Sequence, residues 1–296
     1  MEIVVAGSRG LIGTPLVAEL QDRGHRVRRL VRRAARSSDE ISWDPDAGHL
    51  DGHDLVGTDA VINLAGVNVA GGPLTAARKR AVLLSRTRTT SLLSQTIATL
   101  DPRPSVLLQA SGIGAYGERG ADLLDESQPL GETFFAGVVR RWEASTAAAE
   151  AAGIRVAHLR SGIVLAPHGG AAGRMLPLLR AGIGGPLGSG EQFWSWITLP
   201  DEVRAITHLL DAPVHGPVNL VATAATNAEI TRALADALHR PAALRVPAWA
   251  LRLVLGDFSQ EVLGSVRAVP QALTASGFTH LHPDIASAAP YVTGRD

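Results

Sequence analysis

Three glycines at a spacing of three, Gly7, Gly10 and Gly13, constrain this chain more than any other feature. They follow directly on the β-branched run Glu2-Ile3-Val4-Val5-Ala6 and lead into residues 11–23, which read as a helix. A strand that passes through glycines into a helix needs a tight turn, a backbone open to close approach, and close packing of helix on strand. The uncapped N–H groups and partial positive charge of such a helix start suit a phosphate. Gly7, Ser8, Arg9, Gly10, Leu11, Ile12 and Gly13 are therefore the candidate phosphate loop. An ordinary glycine turn is the plainer alternative, and context decides between them.

That context is an alternation of short strands and longer helices. Residues 26–31, 59–63, 105–110 and 154–160 read as strands, and 75–100 and 136–152 as helices. This order predicts an α/β fold with a parallel sheet covered on both faces. From about residue 166 the chain changes. Residues 166–190 are rich in glycine and proline and read as loops, and helix-like stretches follow at 201–211, 227–238 and 247–255 around a strand-like 218–221. The expected organisation is a Rossmann-type doubly wound domain over 1–165, with later segments returning to it. A smaller interleaved C-terminal α/β lobe covers 166–296.

The second strand, Arg26-Val27-Arg28-Arg29-Leu30-Val31, ends in Arg32-Arg33. An acid at that place would bind the ribose hydroxyls of NAD, whereas a guanidinium pairs with a 2′-phosphate. Arg32 and Arg33, with Arg9 in the loop, therefore point to NADP(H), against the alternative of a solvated basic loop. Lys and Arg together equal Asp and Glu at 28 each, so the chain lacks the charge footprint of a nucleic-acid or anionic-membrane binder. Without cysteine, thiolate chemistry is excluded. The scattered histidines, His49 and His53 beside Asp51 included, lead us to expect no metal. No basic leader precedes an apolar helix at the N-terminus, so the expected location is the cytoplasm.

The chain resembles the extended or atypical short-chain dehydrogenase/reductase superfamily. Within it, the sequence is similar to the sugar-nucleotide-epimerase-like proteins that carry a C-terminal domain of unknown function. The likeness rests on the glycine loop, Asp59-Ala60-Val61-Ile62-Asn63-Leu64-Ala65-Gly66, Gln109-Ala110-Ser111-Gly112-Ile113-Gly114-Ala115-Tyr116-Gly117 and Leu159-Arg160-Ser161-Gly162. Gly184-Gly185-Pro186-Leu187-Gly188, Trp194-Ser195-Trp196-Ile197 and Val246-Pro247-Ala248-Trp249 continue it, the last opening the C-terminal domain at about 245–292. The resemblance implies that Asn63, Leu64, Ala65 and Gly66 pass under the cofactor and that Ser111 matches the superfamily's catalytic serine or threonine.

The superfamily's proton transfer uses a Tyr-x-x-x-Lys pair. By the same resemblance Phe135 stands at the tyrosine's place and Val139 at the lysine's. No other register restores the motif: Lys79 is the single lysine, and neither Tyr116 nor Tyr291 has a lysine four positions on. Three routes stay open. Tyr116, Ser111 or Glu143 supplies the proton, or substrate or water does, or NADP(H) is held without turnover. Arg160 is a candidate for an anionic substrate group, with structural pairing to Asp201 or Glu143 as the alternative. Trp194 and Trp196 would point to opposite faces of an extended segment, one to the cleft and one to the core. The expected partner is a small molecule, a sugar nucleotide or carbonyl compound. The function is an oxidoreductase or epimerase, or alternatively a non-catalytic NADP(H) sensor. An oligomer is compatible with the sequence.

Overall fold

The computed structural model describes residues 1–69 and 71–295. Its main sheet has seven strands, all parallel, here numbered among themselves: β1 Glu2–Ala6, β2 Arg26–Val31, β3 Glu40–Ser42, β4 Ala60–Asn63, β5 Val106–Gly112, β6 Arg155–Ser161 and β7 Gly216–Leu220. Their spatial order is β3-β2-β1-β4-β5-β6-β7. The direction of winding reverses between β1 and β4, the place where open α/β sheets bind ligands beyond the carboxyl ends of their strands.

Strand periodicity divides the core in two. Ile3 and Val5 face one side, with Leu16 and Leu20 of α1 (Gly13–Asp22) and Ile206 and Leu209 of α6 (Leu199–Asp211). Val4 and Ala6 face the other, with Leu93 and Ile97 of α2 (Ala76–Ala98). Both faces are fully covered, as an all-parallel sheet requires. Among the described residues no helix is long and apolar enough to cross a membrane.

The stretch expected as one helix over 136–152 is two, α3 (Phe134–Ala144) and α4 (Ala147–Ala151). The break falls at Thr146, whose hydroxyl bonds back to the Glu143 carbonyl while its own carbonyl accepts from Ser94 Oγ. Residues 166–190, read as loops, contain the helix α5 (Ala172–Arg180). Leu176 and Leu179 bury its inner face, and burial outweighs the Pro177 within it.

A second core lies under the C-terminal half, where α5, α7 (Asn227–Ala237) and α11 (Ile285–Thr293) enclose Trp194 and Trp196. The expectation that these tryptophans face opposite ways fails. The strand is interrupted at Ser195, so residues 193–194 pair with 225–226 and residues 196–198 with 163–165. Both indoles then turn into one cluster. By contrast α8 (Ala248–Leu255) buries none of its residues.

The loop after β1 is as tight as its glycines allow. Gly7 has φ +80°, and a Cβ there would lie 2.6 Å from the Leu64 carbonyl carbon. A Cβ on Gly13 would collide with the Gly7 carbonyl oxygen. The Gly13→Ala variant should therefore lose about 1–3 kcal/mol of stability through forced overpacking. Thermal unfolding checks this, and an unchanged midpoint would contradict the close approach of loop and helix.

Candidate functional site

The glycine loop and α1 form an open cradle at the switch point. The helix has no side-chain cap and no acid in its first turn; Thr14 N donates to the Gly10 carbonyl and Pro15 has no N–H, so among the described residues the N–H groups left without an internal acceptor at this turn are those of Leu11, Ile12 and Gly13. Arg9, Gly10 and Leu11 are exposed while Ser8 is buried. Gly10 differs from its neighbours. A Cβ on it would meet only the Gly7 oxygen, at 3.4 Å, so internal packing does not demand glycine there. What the missing side chain leaves is room outside the loop.

The opposite wall is the turn after β4. Asn63 is wholly buried and works inside the protein: its Nδ2 donates to Gln109 Oε1 (2.9 Å) and Thr90 Oγ1 (3.2 Å), and its Oδ1 accepts from Ala65 N (3.1 Å). It holds Leu64 and Ala65 against Gly7. Gly66 lies against Arg86, whose guanidinium stacks 4.8 Å from the Trp142 ring and donates to the Val67 carbonyl.

Beside the cradle, the arginines of β2 gather around an acid that the sequence reading overlooked. Glu40 enters on the three-residue β3, next to β2, with its carboxylate buried. Arg33 grips it with two hydrogen bonds (2.6 and 2.8 Å), Arg9 stands at 3.5 Å and Arg29 at 3.9 Å, and Arg36 N donates at 2.9 Å. The Arg33 hydrogen bonds lead in lowering the Glu40 carboxyl to about 2. One carboxylate thus orders three guanidinium groups and leaves the spot cationic. Arg32 points elsewhere, half-exposed and 3.9 Å from Asp46.

Under the carboxyl ends of β5 and β6 runs a buried polar chain. Ser111 Oγ donates to Glu143 Oε1 at 2.6 Å, and Arg160 binds both oxygens of Glu143 at 2.9 Å. Arg160 Nη1 donates to Tyr116 Oη (3.1 Å), which donates to Asn219 Oδ1 (2.8 Å). Asn219 in turn donates to the carbonyls of Leu124 and Val269. Burial pushes the Glu143 carboxyl up, but Arg160 and Ser111 more than reverse it, and the net shift is downward. For Tyr116 burial wins and the phenol is raised.

This chain bears on two candidates from the sequence, and for Arg160 it shows the structural alternative. Tyr116 does not sit at an open edge; it is 0% exposed, and its proton is committed to Asn219. Arg160, 4% exposed, satisfies Glu143 rather than a substrate group. Glu143 itself is half-buried, its side chain turned inward from α3. The signal was present: it stands four residues after Val139, on the same inward face of α3. Ser111 remains at the carboxyl end of β5, its hydroxyl donating a hydrogen bond to Glu143.

Phe134 and Phe135 open α3, and Val139 is buried one turn on. The two phenyl rings line a cavity with Leu74, Lys79, Asp257, Gln260 and Glu261. Lys79 is ion-paired with Asp257 and lies 5.3 Å from the Phe134 ring centroid. Nearby, a cavity of about 280 Å³ is lined by Gly71, Gly72, Pro73, Arg174, Val254, Leu255 and Phe258. Among the described residues no group of three His, Asp or Glu is placed to hold a metal, and Asp51 caps the His53 N–H instead.

The family model for NAD dependent epimerases/dehydratases matches residues 3–225, three quarters of the chain. The chain belongs to that family. Residues 246–290 match a C-terminal domain of unknown function. An epimerase family protein of Mycobacterium bovis is 42% identical over 99% of this chain and 98% of its own length. The crystal structure of human epimerase family protein SDR39U1 with NADPH superposes with a TM-score of 0.90 at 33% identity, covering 99% of each chain. UDP-N-acetylglucosamine 4-epimerase from Bacillus cereus shares the fold alone (TM-score 0.79, 17% identity, 99% of this chain and 98% of that one).

The pair at the centre of this epimerase-family chain sets a stability expectation. Glu143→Ala would strand a buried guanidinium, a loss of about 3–5 kcal/mol by the usual cost of breaking a buried pair. Because the native carboxyl is lowered, its contribution is complete above the ordinary carboxylate range and fades as acid passes the lowered value. Urea unfolding at neutral and acid pH should show the variant's deficit shrinking as pH falls; a constant deficit would count against the ion pair.

Proposed function

We propose that the chain binds NADP(H) and is an oxidoreductase or epimerase acting on a small carbonyl compound or sugar nucleotide. The observation that carries this reading is the arginine cluster ordered by Glu40 beside the glycine cradle. The residues suit the group: the unpartnered N–H groups of Leu11, Ile12 and Gly13 and the room at Gly10 for the pyrophosphate, and Arg9 and Arg33 for the 2′-phosphate. Glu40 cannot serve as a ribose-binding acid, since its oxygens are already taken by Arg33 and Arg36. The NADPH in the human relative's crystal structure supports the same assignment.

When bound, the dinucleotide would supply or accept a hydride. The chain's own part is to hold and orient it. Strands stand about 4.8 Å apart. From β1 to β5 is two strands, so a dinucleotide with its 2′-phosphate by β2 reaches over β4 towards Ser111 and Phe135. Residues 1–165 would then carry the cofactor and 166–296 the substrate side. A second reading, a sensor that holds NADP(H) without turnover, is favoured by one observation, the absence of any Tyr-x-x-x-Lys in the sequence.

Two variants test the cofactor reading by calorimetry. Replacing Arg32 and Arg33 together by Ala should weaken NADPH by about tenfold or more relative to NADH, in keeping with charge-assisted bonds worth about 1.5–3 kcal/mol. Equal weakening of both would reject the 2′-phosphate assignment. Gly10→Ala should lose dinucleotide affinity while its unfolding midpoint stays native, the reverse emphasis of Gly13→Ala.

A further inference from the structure

The C-terminal segment brings a carboxyl group into the site that nothing above uses. Glu261 stands on α9 (Ser259–Leu263), after the turn that carries Asp257. It enters the cavity beside Phe134 and Phe135. A Cβ built on Gly114 would lie 3.3 Å from Glu261 Oε2 and 3.4 Å from the Phe135 Cβ. The carboxyl therefore sits against the turn that leaves β5 three residues after Ser111, and against the residue at the tyrosine's place. Unlike Glu40, Glu143 and Glu202, it has no hydrogen-bond or ion-pair partner among the described residues.

The other ionisable groups around it are spoken for. Lys79 of α2 is paired with Asp257. Glu118, on the loop beyond Tyr116, accepts from Ser265 N and Gly120 N. The first turn of α3 presents only phenyl rings there, and the turn Ile113–Ala115 carries no charge. Burial pushes the Glu261 carboxyl up to about 7, where a group can both give and take a proton near neutral pH. The cavity it faces is about 30 Å³, room for about one water and for proton exchange with solvent.

We propose that Glu261, delivered by the C-terminal domain, exchanges the proton with the substrate oxygen in place of the tyrosine that Phe135 replaces. This rests on the dinucleotide reading above. In the reductive direction the substrate carbonyl carbon accepts a hydride from the reduced nicotinamide, and the C=O π pair moves to oxygen. That oxygen takes the proton of the Glu261 carboxyl. The products are the alcohol, the oxidised nicotinamide and a carboxylate that water reprotonates. The oxidative direction is the reverse. On this account the domain of unknown function completes the active site.

Proton linkage in the full-length protein tests the placement. NADP⁺ and NADPH are titrated calorimetrically at pH 7 in two buffers of different ionisation enthalpy. Both carry the 2′-phosphate, so its protons cancel in the comparison. Only the oxidised ring is cationic, and beside Glu261 it should favour the carboxylate and release extra protons. In Glu261→Gln that extra release should vanish while NADPH affinity stays native. With diacetyl as a carbonyl probe, Glu261→Gln should lower kcat by about 100-fold or more with KM little changed. The proposal is overturned if the native protein releases no extra protons, if the release persists in the variant, or if the variant turns over diacetyl at the native rate. Absence of heat with either dinucleotide would instead remove the cofactor reading, and this one with it.

Discussion

The Glu143–Arg160 pair links elements that the chain order keeps apart. Arg160 ends β6, Glu143 hangs from α3, and Ser111 and Tyr116 follow from β5. Through Asn219 the same chain reaches the last strand and Val269 of the C-terminal segment. Two opposite charges out of water are tolerable only when each lone pair and proton is matched. Here both carboxylate oxygens face guanidinium nitrogens, and Ser111 adds a further hydrogen bond. That requirement fixes the relative placement of three strand ends.

The cradle depends on contacts of a different kind. At Gly7 and Gly13 side chains are missing because backbone fills the space; at Gly10 nothing inside the protein fills it. The arginines beside it likewise need an internal organiser. Three like charges, on Arg9, Arg29 and Arg33, would repel one another if left alone. Glu40 draws them together and leaves the net positive charge an anion needs.

Much of the sheet was legible in the sequence because its signal is local. Ile3-Val4-Val5 and Val61-Ile62 are continuous apolar runs, as strands buried on both faces must be. β3 escaped because three residues, Glu40-Ile41-Ser42, carry no period and begin with a charge. The helix at 172–180 was hidden by Pro177 and the glycines around it. In the site, the glycine loop was readable since its function is written in consecutive residues. Tyr116, Arg160 and the two tryptophans were visible as chemistry, but their burial depends on partners up to 103 residues away, such as Asn219 for Tyr116. Glu261 carried no signal at all in one dimension: only folding places it beside Gly114 and Phe135.

The lone lysine has a practical consequence. Lys79 holds Asp257 across the gap between the long helix α2 and the C-terminal segment, and no other side chain in the protein carries a primary amine. An acylating reagent therefore has one side-chain target, and that target is tied up whenever the two parts of the molecule are drawn together. The rate at which it is labelled reads how often they part, without any engineered reporter.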